Sequence, residues 1–342
     1  MLKKVALKCS LSIYFLLSFF ERSKAQPEFL SPVENPFGLS DIGGEASPTF
    51  VDIDGDGDLD AFIGEELGNV LFFENTGTKT SPVFAAPIVN PFGFTAVGSY
   101  ANPTFVDIDG DGDLDVFLGE SNGNTYFFEN TGTKTSPVFA APVSNPFGLT
   151  DVGDYSNPTF VDIDGDGDLD AFIGEKNGDT YFFENTGTKT APVFAAPITN
   201  PFGLTDVDDY ASPTFVDIDG DGDLDAFIGD KSGSTYFFEN TGTKTSPMFA
   251  TPVVNPFGLI DVVDNSRPAL VDIDGDGDID AFIGDVAGNT QFFRNFLVES
   301  KTIPTLSQWG AIVLGLLFSI FGISGLKQKE FYRNSRAKNM NP

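Results

Sequence analysis

Apolar positions along this chain come in short bursts, and the bursts recur every 55 residues. In one unit, residues 47–101, Ser-Pro-Thr-Phe-Val runs into a stretch rich in acids and glycine. Leu59-Asp60-Ala61-Phe62-Ile63-Gly64-Glu65 follows, then a turn at Leu67-Gly68-Asn69, then Val70-Leu71-Phe72-Phe73-Glu74. A second turn at Asn75-Thr76-Gly77-Thr78 leads to Pro82-Val83-Phe84-Ala85-Ala86-Pro87, and Asn90-Pro91-Phe92-Gly93 ends the unit. β-Branched and aromatic runs punctuated by Gly, Asn and Pro predict three or four strands per unit. No helical period stands out before the apolar run near the C-terminus.

Ala61-Phe62-Ile63 and Leu71-Phe72-Phe73 are apolar at consecutive positions, which in a strand point to opposite faces. Such strands need cover on both sides, as in small sheets stacked radially around an axis. The last unit stops after Gln291-Phe292-Phe293-Arg294-Asn295, and its missing part stands at the other end of the array. Pro27-Glu28-Phe29 and Asn35-Pro36-Phe37-Gly38 lie 55 residues before Pro82-Val83-Phe84 and Asn90-Pro91-Phe92-Gly93. A permuted array of this kind suits a ring, whose closure removes the exposed sheet edge. The expectation is an all-β protein: a β-propeller of five blades closed by an N-terminal strand segment, with one C-terminal transmembrane helix.

The termini carry addresses. Residues 1–25 read as a signal peptide, with Lys3, Lys4 and Lys8 ahead of an apolar run over 11–20 and Ser23-Lys24-Ala25 at the cleavage point. The propeller is assigned to 26–300 and a sorting motif with linker to 301–308. The apolar run 309–326 is long enough to cross a bilayer, and 327–342 forms a basic tail on the cytoplasmic side. Ile303-Pro304-Thr305-Leu306-Ser307-Gln308-Trp309-Gly310, the apolar run and the basic tail together resemble the IPTL-type sorting segment, a relative of the PEP-CTERM signals. That resemblance implies recognition by a membrane protease of the exosortase type. The expected location is the cell surface or the medium, with a membrane anchor that is either kept or cleaved.

Charge narrows the partners. Between 26 and 300 stand 48 of the 50 acids against eight bases, a net −40, which disfavours nucleic acid and anionic lipid. Cys9 is the one cysteine and histidine is absent, so disulfides, the usual nucleophile pairs and the commonest zinc ligand are excluded from the repeats.

Each unit contains Asp-Ile-Asp-Gly-Asp-Gly-Asp-Leu-Asp, the last copy with Ile for Leu. The candidate metal ligands are Asp52, Asp54, Asp56, Asp58 and Asp60; Asp107, Asp109, Asp111, Asp113 and Asp115; Asp162, Asp164, Asp166, Asp168 and Asp170; Asp217, Asp219, Asp221, Asp223 and Asp225; and Asp272, Asp274, Asp276, Asp278 and Asp280. Positions 1, 3, 5 and 9 offer side chains and position 7 its peptide carbonyl, an oxygen-only set that suits Ca²⁺, about five ions in all. An EF-hand matches at positions 1, 3, 5 and 6 but needs a Glu at position 12, where Ile63 stands. Phe-Val-Asp-Ile-Asp-Gly-Asp-Gly-Asp-Leu-Asp-Ala-Phe-Ile-Gly followed by Tyr-Phe-Phe-Glu-Asn-Thr-Gly-Thr resembles the FG-GAP/VCBS repeats, of which integrin α-subunits carry a divergent form. The resemblance covers 27–295. It implies a propeller, commonly of seven blades, with calcium in the hairpin loop between the first two strands of each blade.

The expected function is a calcium-stabilised extracellular module that binds protein or polysaccharide in adhesion or matrix, and not an enzyme. A calcium-dependent polysaccharide lyase or glycosidase is the alternative, disfavoured because five equivalent acidic loops do not make one asymmetric active site. Sequence differences between units gather after Asn-Pro-Phe-Gly, where Tyr100, Tyr155 and Tyr210 stand near Asp154, Asp208 and Asp209, either as caps on the blade edges or as a candidate sugar-binding rim.

Overall fold

The computed structural model describes residues 27–296. They form twenty short strands and five single-turn 3-10 segments, arranged as five four-stranded antiparallel sheets. Blade 1 holds β2 (Ser47–Val51), β3 (Asp60–Gly64), β4 (Val70–Phe73) and β5 (Ile88–Val89). Blade 2 repeats the order with β6 (Asn102–Val106), β7 (Asp115–Gly119), β8 (Thr125–Phe128) and β9 (Val143–Ser144). Blade 3 has β10 (Asn157–Val161), β11 (Asp170–Gly174), β12 (Thr180–Phe183) and β13 (Ile198–Thr199). Blade 4 has β14 (Ser212–Val216), β15 (Asp225–Gly229), β16 (Thr235–Phe238) and β17 (Val253–Val254).

Blade 5 is assembled from both ends of the array. It contains β18 (Arg267–Val271), β19 (Asp280–Gly284) and β20 (Thr290–Phe293), and its fourth strand is β1 (Val33–Glu34). Val33 pairs with Phe292 and Glu34 with Gln291, while Phe29 bridges to Asn295. The N-terminal segment thus fills the place expected for it. The fourth strand of every blade is only two residues long, and both residues are exposed.

The second strand of each blade is buried along its whole length, as a sheet covered on both faces requires. Phe62, Phe117, Phe172, Phe227 and Phe282 have no exposed surface and sit in five apolar clusters, each built from two adjacent blades. Burying each of these rings contributes about 1.5–3 kcal/mol. The first strand of each blade lines the axis with its outer edge unpaired, which suits the proline at its second position, Pro48 in blade 1.

Closure is visible in bonds repeated five times. Ala101, Ser156, Ala211 and Ser266 donate N–H to the carbonyls of Glu65, Glu120, Glu175 and Asp230 in the preceding blade, and Ala46 does the same to Asp285, all at 2.8–3.1 Å. Backbone at this junction packs so closely that a Cβ on Gly64 would collide with the carbonyl of Ala101, so glycine is required there. The innermost strands neighbour one another in the order β2, β6, β10, β14, β18 and back to β2. The result is a ring of five blades, two fewer than the number common in the resembling family. Among the described residues no helix is long and apolar enough to cross a membrane. The expected signal peptide, sorting motif, membrane helix and basic tail lie outside the described residues.

Candidate metal centres

Each acidic nonapeptide lies between the first and second strands of its blade, on a loop that glycine makes possible. Gly55 and Gly57 have φ of 77° and 95°, in the left-handed region where a side chain is strained. The loop winds around its own carboxylates. Asp52 Oδ1 accepts from the Gly55 N–H at 2.8 Å and Oδ2 from the Gly57 N–H at 3.2 Å, while Asp54 accepts from the Asp56 N–H.

This winding brings together carboxylates 1, 3 and 5 of every loop. In Asp52/Asp54/Asp56, Asp107/Asp109/Asp111, Asp162/Asp164/Asp166, Asp217/Asp219/Asp221 and Asp272/Asp274/Asp276, one oxygen from each residue lies within 4.8 Å of the others. Asp60, at position 9, stands apart from that trio. It is buried, and its Oδ1 accepts the Asn75 N–H at 2.7 Å. Asn75 also donates through Nδ2 to the Leu59 carbonyl and accepts from Gly77 and Val83. Equivalent bonds join Asp115 to Asn130, Asp170 to Asn185, Asp225 to Asn240 and Asp280 to Asn295. The asparagine of Asn-Thr-Gly therefore anchors the ninth position of its acidic loop, a role the sequence signalled only by repetition.

Electrostatics show what the loops lack. Burial pushes the carboxyls of Asp60, Asp115, Asp170, Asp225 and Asp280 up to about 7, with neighbouring aspartates adding to the rise. At position 7, burial and then the neighbouring aspartates raise Asp58, Asp113 and Asp168, and Asp223 reaches about 6. Buried oxygens without a hydrogen-bond partner recur in the loops: Oδ1 of Asp107 and Asp162 at position 1, and Oδ1 of Asp113, Asp168 and Asp223 at position 7. Converging anionic oxygens, some buried and unpartnered, fit a hard divalent cation. A bound ion would offset the negative charge concentrated in each loop.

Four of the five loops also approach the following blade. At Gly55 the neighbour is Thr135, at Gly110 Thr190 and Lys189, and at Gly165 Thr245 and Lys244; at Gly275 it is Lys79 of blade 1. The Thr-Gly-Thr-Lys turn thus stands beside an adjacent acidic loop at these positions.

The opposite end of the innermost strands is different. Residues 45, 100, 155, 210 and 265, one per blade, are Glu, Tyr, Tyr, Tyr and Asn, and all five have positive φ. Tyr155 packs edge-on against Tyr100 and Tyr210, with centroids 4.9 and 4.5 Å away. Beside them Asp154 pairs with Lys176 at 3.0 Å and Asp209 with Lys231 at 3.4 Å. The expected acidic rim is therefore partly neutralised by lysines that the sequence reading had not connected to it. Along the axis runs a cavity of about 180 Å³, bordered by Ser47, Asn102, Asn157, Ser212 and Arg267.

A family profile described as FG-GAP-like repeat matches residues 52–118, 107–173, 162–228 and 217–283, and an IPTL-CTERM motif matches 302–328. No curated protein matches the chain. Similar solved structures include the Photorhabdus luminescens Tc holotoxin pore, at 15% identity and a TM-score of 0.40 over 82% of this chain. The chain spans only 15% of that toxin chain. BBS1N in complex with ARL6DN has 10% identity and a TM-score of 0.40, covering 80% of this chain and 98% of that one.

Proposed function

The chain belongs to the FG-GAP-like repeat family, and from that membership and the geometry of its loops we propose a calcium-stabilised propeller that binds an extracellular protein or polysaccharide. The IPTL-CTERM motif points to export and a surface role, with the C-terminal segment as sorting signal and membrane anchor. The observation that carries the calcium reading is the trio of carboxylate oxygens within 4.8 Å, repeated five times. Positions 1, 3 and 5 would ligate through side chains and position 7 through its carbonyl, with position 9 and water completing the shell. Calcium bound there would offset the repulsion among five aspartates and tie the hairpin between the first two strands of each blade into a fixed shape.

The partner surface in this reading is the ring of Tyr100, Tyr155 and Tyr210. Exposed parts of aromatic rings beside charged groups suit sugars and polar peptides, and left-handed backbone at bulky residues is a strain often kept at binding sites. The test compares the full chain in chelator and in millimolar calcium, by thermal melting and by a screen against glycans and surface proteins. A large rise in melting temperature and partner retention only with calcium are expected. Equal melting and equal retention in both conditions would overturn the proposal.

A further inference from the structure

The five loops are alike in their aspartates but not in what faces them. Where the first four repeats carry Glu74, Glu129, Glu184 and Glu239, the fifth carries Arg294. Its Nη2 lies 2.6 Å from Asp274 Oδ2 and 3.2 Å from Asp276 Oδ2. Those carboxylates are the third and fifth positions of the loop, and both belong to the trio that converges on the candidate ion. In the first loop the equivalent Glu74 sets a negative charge near Asp58 instead.

We infer that the fifth loop is a partly neutralised metal site, in which Arg294 holds one oxygen each of Asp274 and Asp276 and makes calcium binding markedly weaker than at the other four. The inference rests on the calcium reading above. Each of the first four sites sets five aspartates and a glutamate against the ion, whereas the fifth sets five aspartates and a cation. A change of two charge units a few ångströms from a divalent ion weakens binding by roughly tenfold or more, even with aqueous screening. The guanidinium must also give up two charge-assisted hydrogen bonds before Asp274 and Asp276 can turn to the metal.

The fifth blade is also the one that β1 completes. A loop carrying its own cation lets this seam hold its shape when calcium is scarce, while the other four blades depend on the ion. The sites would then fill in two stages as calcium rises.

Calorimetric titration of the chelated full chain with calcium chloride tests this. The expected isotherm has four tight ions and a fifth bound at least about tenfold more weakly. Arg294→Glu should bring the tight class to five, and the reciprocal Glu74→Arg should reduce it to three in a chain that keeps Arg294. Five indistinguishable ions in the native chain, or tight classes unmoved by both substitutions, would overturn the inference and leave the calcium reading standing. Absence of any calcium binding would overturn both.

Discussion

Glu45 and Arg267 meet at 2.7 Å with side chains only 7% and 6% exposed, a buried ion pair between residues that precede and open innermost strands of the first and last blades. The Asn265 side chain donates to both Glu45 oxygens, at 2.8 and 3.0 Å. The equivalent positions in the middle blades carry Tyr100, Tyr155 and Tyr210 for Glu45, and Asn102, Asn157 and Ser212 for Arg267. Breaking such a pair by removing one partner leaves a buried charge uncompensated. Glu45→Gln is expected to destabilise the calcium-loaded chain by about 3–5 kcal/mol in chemical denaturation, and an unchanged midpoint would refute a structural role. At this scale the acidic loops were legible because their ligands lie within nine consecutive residues. The Glu45–Arg267 pair was not, since nothing local joins residues so far apart in sequence. Arg294 replaces a glutamate found in the other four units, and its meaning depends on which carboxylates it reaches.

Among elements, β1 shows how far an offset in sequence can be carried. The repeat spacing of its flanking Phe and Asn-Pro-Phe-Gly assigned it to the last sheet, and the Phe29 N–H bonds the Phe257 carbonyl at 2.7 Å just as Phe84 bonds Phe37. Deleting residues 27–38 would strip the outer strand from blade 5 and expose the edge of β20. The expected outcome is loss of the single cooperative melting transition together with self-association in size-exclusion chromatography; a monomer with native melting would contradict it. The fourth strands were harder to read than the others. Pro87 lacks an N–H and Asn90 turns left-handed at φ 50°, so only Ile88 and Val89 remain to pair with β4. Exposure of both residues removes the burial pattern that would have marked them.

For the whole molecule, charge sets the response to pH. Burial, more than any other cause, holds Glu175, Asp230 and Asp285 above the usual carboxylate range. The folded chain therefore keeps these protons at pH values where the unfolded chain has released them. The stability that protonation confers is present near the ordinary carboxylate pKa of about 4 and is lost as pH rises through the raised folded values. The formal charge of −31 adds repulsion in the same direction. Without metal, the full chain is expected to melt at a higher temperature at pH 5 than at pH 8. The reverse order in chelator would show that other groups dominate.

The sequence by itself determined the repeat, the strands, the acidic loops and the segment that completes the last blade. Each of these is written in residues close together or separated by a fixed period, so local chemistry suffices. Only the tertiary structure decided that five blades close, with Ala46 bonding Asp285 as every other junction does. Closure depends on the angle between packed sheets, which is set by interlocking phenylalanines and by backbone approach at residues such as Gly64. The same packing decides which charges meet. Five nearly identical loops are chemically equivalent as text, but Arg294 at the fifth makes them unequal in space.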